Sequence, residues 1–367
     1  NIMNTTANKP RANLFSYPRW IVLQLLEKCN LRCKMCYEWG EEGAYHEKQS
    51  TQQLDFEVVK KVIEDCAPSK PMYDFFGGEP LLYTKVDEVI SLIKHYGSEL
   101  VIPTNGTLVE KNAEMLVETG PDKVWISLDG PEQINDAQRG KGVFRKSIDG
   151  INKILELRKR TGKKFPKIGI TCIVTPNNHL HIEDFFFKSI DLAALDHVSI
   201  EMQLFATREQ CREYGAVLSK EFDIPNAPHA YARGMVWEKE KFESMNFSEM
   251  VRQINTVANF CKSHNIYFFN YPKTITEQNL SDYFSGNFTK LVDYKCNCRL
   301  PWMYAEITAK GDVASCHTYY DLTFGNINNQ SMYDIWNCEK FGKFRNYMKN
   351  HLLPICTACS RYYDYTI

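Results

Sequence analysis

The sequence predicts an α/β protein: a partial (β/α)6 barrel of parallel strands, followed by a small C-terminal domain built from a β-hairpin and helices. Strand-like and helix-like segments alternate from Arg19 to Phe205, polar or glycine-rich turns follow several of the strands, and a second group of cysteines lies near the C-terminus. Alternation of strands with helices is typical of a parallel sheet, either open or curled into a partial barrel.

The alternation contains about six strand–helix units. A buried strand begins at Arg19 and runs into a cysteine-rich loop, and apolar residues at helical spacing predict a helix from Leu54 to Cys66. The other predicted strands are 72–76, 99–103, 124–128, 167–174 and 197–205. The other predicted helices lie near 86–96, 108–118, 148–159 and 182–192.

Composition and charge exclude several classes of protein. The chain has 367 residues, of which 44% are hydrophobic and 24% charged, as expected of a globular protein with more than one domain. A formal net charge of −1 gives no overall field that would favour nucleic acid or an anionic membrane. The sequence contains no apolar run long enough for a membrane span and no hydrophobic signal segment at its start, so we expect a cytoplasmic protein.

The stretch CNLRCKMCY places three cysteines, Cys29, Cys33 and Cys36, within eight residues. Disulfides are disfavoured, because the total of thirteen cysteines is odd and the predicted compartment is reducing. A structural zinc site normally needs four ligands, often as two spaced pairs. Three thiolates on one loop suit a [4Fe–4S] cluster with one iron left open, which can bind a substrate or a cofactor.

Three further segments follow successive strands: GGEP at 77–80, TNGT at 104–107 and SLDGP at 127–131. Each of them alone is explained as a turn, because Gly, Asn, Asp and Pro are the usual turn residues. Ligands bind at the carboxyl ends of the strands in parallel barrels. We therefore expect these segments and the cysteine loop to line one mouth of the barrel.

The cysteine spacing after the first strand, together with GGEP, resembles the radical S-adenosylmethionine (SAM) superfamily over Tyr17 to Phe205. The resemblance implies that Cys29, Cys33 and Cys36 hold a [4Fe–4S] cluster, and that SAM chelates its open iron through the amino and carboxylate groups. The SAM contacts that it implies are Gly77, Gly78, Glu79, Pro80, Asn105, Ser127, Asp129 and Arg139.

The resemblance also implies roles for individual side chains. Glu79 would contact the SAM amino group, and Asn105, Ser127 and Asp129 would lie around its ribose and methionine. Arg139 would pair with the SAM carboxylate, which a guanidinium fork matches, and the alternative is a solvated surface charge. The family often has an aromatic residue before the third cysteine, where this chain has Met35.

The C-terminal cysteines form separated groups that suit zinc or an iron–sulfur cluster. The tract MYAEITAKGDVASC predicts a β-hairpin that turns at Lys310–Gly311. This region resembles the SPASM/twitch extension, which implies one auxiliary [4Fe–4S] cluster. The expected ligands are Cys298, Cys316, Cys356 and Cys359, with Cys296 as an alternative to Cys298. The remaining cysteines, Cys66, Cys172, Cys211, Cys261 and Cys338, are expected to be buried thiols.

The resemblance implies a radical-generating oxidoreductase. It would cleave SAM reductively to a 5′-deoxyadenosyl radical, which abstracts hydrogen from a C–H bond, while the auxiliary cluster assists oxidation. The short segment before Cys29 leaves no room for a fused leader-peptide-binding domain, which favours a small polar metabolite such as a sugar, aminocyclitol or nucleoside-like compound. The alternatives are a maturase of ribosomal peptides or proteins, a non-catalytic iron–sulfur electron carrier and a zinc-based nucleic-acid binder.

The expected partners are the substrate and a one-electron reductant such as flavodoxin or ferredoxin, with neither a nucleic acid nor a membrane span. The predicted domains are an N-terminal tail (1–16), the barrel core (17–205), a substrate-specific helical or connecting region (206–294) and the auxiliary-cluster domain (295–367).

Overall fold

The computed structural model describes residues 16–45, 52–225 and 230–363. The predicted N-terminal tail therefore lies outside the described residues except for Ser16. The strands are β1 Trp20–Gln24, β2 Met72–Phe76, β3 Leu100–Thr104, β4 Lys123–Ser127, β5 Lys167–Val174, β6 His197–Met202, β7 Tyr267–Tyr271, β8 Tyr304–Ile307, β9 Asp312–Ala314 and β10 Thr323–Asn326.

The helices are α1 Phe56–Cys66, α2 Val86–His95, α3 Val109–Thr119, α4 Glu132–Arg139, α5 Val143–Thr161, α6 Ile182–Asp184, α7 Arg208–Phe222, α8 Ala230–Arg233, α9 Phe247–Ser263, α10 Glu277–Phe284, α11 Met332–Trp336, α12 Glu339–Met348 and α13 Ser360–Tyr363.

The strands form one ten-stranded sheet in the order β10-β9-β8-β1-β2-β3-β4-β5-β6-β7. Neighbouring strands from β8 through β1 to β7 are parallel, whereas β9 pairs antiparallel with both β8 and β10. The predicted α/β class and the C-terminal hairpin are confirmed. The hairpin extends the barrel sheet directly, because Val22 of β1 is in register with both Asp74 of β2 and Glu306 of β8.

The two faces of the sheet differ in burial. On one face the side chains belong to the core shared with the helices, and Ile102, Ile126 and Ile170 are 0% exposed there. On the opposite face of the same strands Trp125 and Thr171 are only partly buried. Because side chains alternate along a strand, this second face lines the inside of the barrel.

Two elements differ from the sequence prediction. The predicted helix 182–192 is a short α6 that continues as a π-helical turn, Phe185–Ser189. Consecutive residues of an α-helix point to different faces. Phe185 and Phe186 are nevertheless both buried, and their burial coincides with the wider π-helical turn. Strand β7 lies in the predicted connecting region and pairs with β6, so the sheet continues past residue 205.

Among the residues that the structure describes, none of the helices combines the length and apolar character needed to cross a bilayer.

Candidate functional site

The three-cysteine loop follows β1, and all three of its cysteines are partly buried. Backbone amides surround the sulfurs: Trp39 N lies 3.3 Å from Cys36 Sγ, and Leu31 N lies 3.5 Å from Cys29 Sγ. The Cys36 amide also donates to the Cys33 carbonyl at 3.0 Å, which closes the loop into a tight turn. Amides directed at sulfur favour the thiolate form that binds iron.

Gly77 and Gly78 allow the loop after β2 to lie directly against the cysteine loop. Both have positive φ, +75° and +23°. A Cβ on Gly78 would lie 1.9 Å from the Lys28 carbonyl oxygen, so no other residue fits without moving the cysteine loop. The next amide, that of Glu79, donates to the same Lys28 carbonyl at 2.9 Å.

Glu79 is 0% exposed and ties the loops after β2 and β3 together. Its carboxylate accepts hydrogen bonds from Thr104 Oγ1 at 2.7 Å, Asn105 N at 2.8 Å and Leu81 N at 3.1 Å. Burial raises the pKa of this carboxyl group, and these hydrogen bonds oppose the shift. Its predicted contact with the SAM amino group stays a prediction. Pro80 is buried and begins a 3-10 turn.

The loop after β3 reaches the cysteine loop. Asn105 Nδ2 lies 3.9 Å from Cys29 Sγ and donates to Asn30 Oδ1 at 2.8 Å. The structure therefore brings the GGEP, TNG and cysteine segments together, as their positions after successive strands predict. Ser127 is partly buried at the end of β4 and lies on the same face as Trp125, inside the barrel.

Asp129 and Arg139 form a buried, bidentate ion pair. Arg139 Nε lies 2.6 Å from Asp129 Oδ2, and Nη2 lies 3.0 Å from Oδ1. Asp129 also accepts hydrogen bonds from Gln138 Nε2 at 2.7 Å and Ile173 N at 2.9 Å. Arg139 is only 8% exposed, so its alternative interpretation as a solvated surface charge is wrong. Its backbone carbonyl lies 3.9 Å from Cys33 Sγ, which puts this pair beside the three cysteines.

The second cysteine group lines one small cavity. Cys298, Cys316, Cys356 and Cys359 all contribute to its wall, with apolar neighbours such as Leu300. Cys296 is exposed and does not line this cavity, which favours Cys298 as the fourth ligand.

The chemistry of both sulfur groups fits iron–sulfur clusters. Burial, together with smaller contributions from neighbouring thiols, raises the pKa of Cys29 and Cys359 to about 12 and that of Cys36 to about 11. A thiol must lose its proton to bind a metal, and the positive charge of iron favours that loss. Within the described ranges no three His, Cys, Asp or Glu side chains converge on a point suited to one metal ion. Cluster thiolates bind separate irons, so they need not converge in this way.

A second cavity opens beside the three-cysteine loop. It is lined by Met35, Gln138, Thr175, Gln203 and Trp237, together with Lys34, Pro176, Asn177 and Lys241. Gln203 is 1% exposed, and neither atom of its side-chain amide has a hydrogen-bond partner among the described residues. A buried amide without partners is costly, so this cavity is suited to a polar ligand.

Sequence reasoning missed Gln203 and Trp237. Gln203 directly follows β6, and the rule that singled out polar residues after β2, β3 and β4 would have found it. Trp237 lies in the predicted connecting region, 206–294, and its position at the cavity depends on how the chain folds back after α7.

Sequence comparison identifies relatives of both parts of the chain. The family model of the Radical SAM superfamily matches residues 23–211, and that of the SPASM iron–sulfur cluster-binding domain matches 296–360. The tungsten-containing aldehyde ferredoxin oxidoreductase cofactor-modifying protein of Pyrococcus furiosus is 25% identical, over 93% of this chain and 87% of that protein. The AdoMet-dependent heme synthase of Oleidesulfovibrio alaskensis is 30% identical, over 58% and 57%.

Solved structures share the fold. Streptococcus suis SuiB bound to S-adenosylmethionine matches with a TM-score of 0.61 and 16% identity, over 96% of this chain and 72% of that chain. Native anSMEcpe with bound AdoMet matches with a TM-score of 0.58 and 17% identity, over 94% and 86%. The superfamily match covers just over half of the 367 residues. The chain therefore belongs to the Radical SAM superfamily: it is an enzyme that uses [4Fe–4S] clusters and S-adenosylmethionine, and it carries a C-terminal SPASM domain.

Proposed function

We propose that this enzyme abstracts hydrogen from a C–H bond of a small polar metabolite, with Cys29, Cys33 and Cys36 as the ligands of the SAM-cleaving cluster. The observation that carries the proposal is the contact of three loops at one mouth of the barrel. Asn105 lies against Cys29, and Gly78 and Glu79 lie against Lys28. The loop therefore supplies three cysteine ligands, and no fourth, to one cluster.

Cys29, Cys33 and Cys36 would hold a [4Fe–4S] cluster, which would supply the one-electron reductive cleavage of SAM that generates a radical for hydrogen abstraction. The residues around the loop would hold SAM in place. Gly77 to Pro80, Asn105, Ser127, Asp129 and Arg139 remain our candidates for its methionine and ribose contacts. Arg139 would act there with its guanidinium already oriented by Asp129.

The cavity beside Met35 is our candidate for the adenine of SAM. A glutamine side-chain amide can donate and accept at the edge of adenine at the same time, and the amide of Gln203 lacks partners. Trp237 also lines this cavity, and an aromatic side chain is the kind of group on which a base can stack. Met35 would then pack against the same base from the cysteine loop.

Two lines of support favour a small-molecule substrate. The Pyrococcus furiosus relative, which spans nearly the whole chain, is named for modifying a cofactor, and the Oleidesulfovibrio alaskensis relative is named a heme synthase. The partly exposed inner face of the barrel carries hydroxyl and carboxyl groups on Ser127, Thr171 and Glu201. Such groups suit the hydroxyls or amines of a sugar, an aminocyclitol or a nucleoside-like compound.

We further propose that Cys298, Cys316, Cys356 and Cys359 hold one auxiliary [4Fe–4S] cluster. Four cysteine ligands leave no open iron for substrate, so this site is suited to accepting an electron and thereby to net oxidation of the substrate. We keep the division into core (17–205), connecting region (206–294) and auxiliary domain (295–367) as part of this proposal.

The experiment is anaerobic incubation of the reconstituted enzyme with SAM and a reductant, followed by chromatography of the products. We expect 5′-deoxyadenosine and methionine from the wild type and from the control Cys296→Ala, which removes an exposed cysteine. We expect neither product from Cys33→Ala. Metabolite fractions should raise deoxyadenosine formation more than peptide fractions, and the reverse result would favour the peptide-maturase alternative. If no variant or wild-type sample yields deoxyadenosine, the non-catalytic carrier explains the cysteines better.

A further inference from the structure

The second cysteine group shares its cavity with a serine that directly precedes one of the cysteines. Strand β9 ends at Ala314, and Ser315 and Cys316 follow it and both line the cavity. Ser315 is only 1% exposed. Most of the remaining wall consists of thiols and of apolar side chains such as Leu300 and Met348, so the role of each polar side chain in it needs an explanation.

Three residues of the wall carry a hydroxyl group, and two of these groups are bonded within the protein. Tyr319 donates to the Ala358 carbonyl at 2.8 Å, and Tyr362 donates to the Lys295 carbonyl, also at 2.8 Å. Ser315 Oγ, in contrast, has no hydrogen-bond partner among the described residues. Because a buried hydroxyl without a partner is costly, a ligand in the cavity that accepts its hydrogen bond would remove that cost.

Two occupants of the cavity could accept this hydrogen bond: an ordered water and the auxiliary cluster. A buried water normally needs about two to four polar partners. The wall offers few, because both tyrosine hydroxyls are in use and Nδ1 of His317 lies 2.9 Å from Glu306 Oε2. The sulfurs of an iron–sulfur cluster accept hydrogen bonds, so the cluster fits the hydroxyl of Ser315 better than water does.

We propose that the Ser315 hydroxyl donates a hydrogen bond to a sulfur of the auxiliary cluster and thereby raises the reduction potential of that cluster. The inference rests on the proposed function, because it requires that Cys298, Cys316, Cys356 and Cys359 hold the cluster. A reduced cluster carries one more negative charge than an oxidised one, so a donor at its sulfur stabilises the reduced form more. Ser315 is thus a positioning residue that makes the cluster a better electron acceptor.

The test is a redox titration of the reconstituted enzyme, followed by electron paramagnetic resonance. The signal that persists in Cys33→Ala identifies the auxiliary cluster. In Ser315→Ala we expect its reduction to be about tenfold less favourable, which is a shift of about 59 mV to more negative potential for one electron. Ser315→Thr keeps the hydroxyl and should titrate close to the wild type. A midpoint in Ser315→Ala equal to that of the wild type would overturn the proposal.

A second measurement detects the hydrogen bond itself. After exchange into D2O, electron–nuclear double resonance of the reduced auxiliary cluster should show one more coupled deuteron in the wild type than in Ser315→Ala, and equal numbers would also overturn the proposal. Ser315→Gly, which lacks the hydroxyl too, provides the same comparison if Ser315→Ala does not take up iron. Loss of the cluster from both variants, with retention in Ser315→Thr, would support the contact.

The matched control is Ser98→Ala. Ser98 is 2% exposed and its hydroxyl also lacks a partner among the described residues, but it precedes β3, which lies four strands from β9 in the sheet. Its removal should leave the midpoint unchanged, and a shift equal to that of Ser315→Ala would contradict a local effect. If Cys33→Ala retains no iron, the proposed auxiliary cluster fails. About four irons per chain with an unshifted midpoint in Ser315→Ala reject only the role of Ser315.

Discussion

At the scale of residues, the sequence indicates where Arg139 lies but not which side chain it pairs with. The family resemblance implies that Arg139 lies near the SAM carboxylate, and the structure places its carbonyl 3.9 Å from Cys33 Sγ. The sequence does not reveal that its guanidinium is paired with Asp129, because the two meet only when α4 packs over the end of β4. Two charges of opposite sign this deeply buried depend on each other.

We therefore predict a large effect of Arg139→Met on folding, not only on SAM affinity. The change leaves the Asp129 carboxylate buried without its cation, which costs about 3–5 kcal/mol of the free energy of unfolding. Urea denaturation of the holoenzyme measures it. Arg145→Met is the matched control, because the side chains of Arg145 and its partner Glu132 are 67% and 47% exposed, and this change should cost less than about 1 kcal/mol. Unchanged stability with lost SAM binding would show that Arg139 acts on the ligand alone.

Gln203 provides a second prediction at this scale. Gln203→Leu keeps the approximate size of the side chain but removes its amide, so we expect the dissociation constant of SAM to rise about tenfold, the effect of about 1.4 kcal/mol. Anaerobic calorimetric titration with SAM measures this constant. Gln133→Leu, at an exposed position of α4, should leave it unchanged. An unaltered constant in Gln203→Leu would separate this cavity from the SAM site.

At the scale of elements, the strands with the clearest signals were predicted best. Strand β2 lies at the predicted bounds 72–76, and the hairpin turns at Gly311, whose φ of +87° favours glycine. Helix α4 was not predicted, since EQINDAQR is polar and has no apolar stripe. Strand β7 was missed for a different reason: its backbone pairs with β6 across 64 intervening residues, from 203 to 266, and no local sequence pattern indicates such a pairing.

His197 at the start of β6 makes the stability of the sheet depend on pH. It is 5% exposed beside Trp125, and burial lowers its pKa to about 4. In the unfolded chain the histidine has a pKa near 6.5 and is protonated below that pH, whereas in the folded chain it stays neutral down to about pH 4. The free energy of unfolding therefore falls as pH decreases from about 6.5 to 4. Between pH 7 and pH 5 this loss amounts to about 2 kcal/mol.

The matched variant is His197→Asn, which cannot titrate in this range. Its free energy of unfolding should decrease by about 2 kcal/mol less than that of the wild type when pH is lowered from 7 to 5. Urea denaturation at both pH values measures the difference. Equal pH dependence in the two proteins would mean that His197 is protonated in the folded state.

At the scale of the whole molecule, the two cysteine groups are connected through the barrel. The strand β8 that precedes Cys316 pairs with β1, and Glu306 of this strand accepts a hydrogen bond from His317 Nδ1 at 2.9 Å. Beyond Cys359, Arg361 Nη2 lies 2.7 Å from Asp74 Oδ2 of β2. The SPASM domain is therefore part of the barrel wall, which spacing of cysteines alone does not indicate.

The sequence was most informative where the chemistry is local. Cys29, Cys33 and Cys36 lie on one loop, so their spacing alone favours an iron–sulfur cluster over zinc. Cys298 and Cys359 meet in one cavity only because the chain folds back over about 60 residues, and there the resemblance to a family was needed. Neither the cysteine spacing nor the family resemblance indicates which side chains on the inner face of the barrel select the substrate.

The central claim is that each chain holds two separate clusters, and the iron content per chain tests it most directly. Reconstituted wild type should contain about eight irons. Both Cys33→Ala and Cys356→Ala with Cys359→Ala should contain about four, and SAM cleavage should be lost only in the former. Eight irons in the C-terminal double variant, or deoxyadenosine formed by Cys33→Ala, would contradict the account.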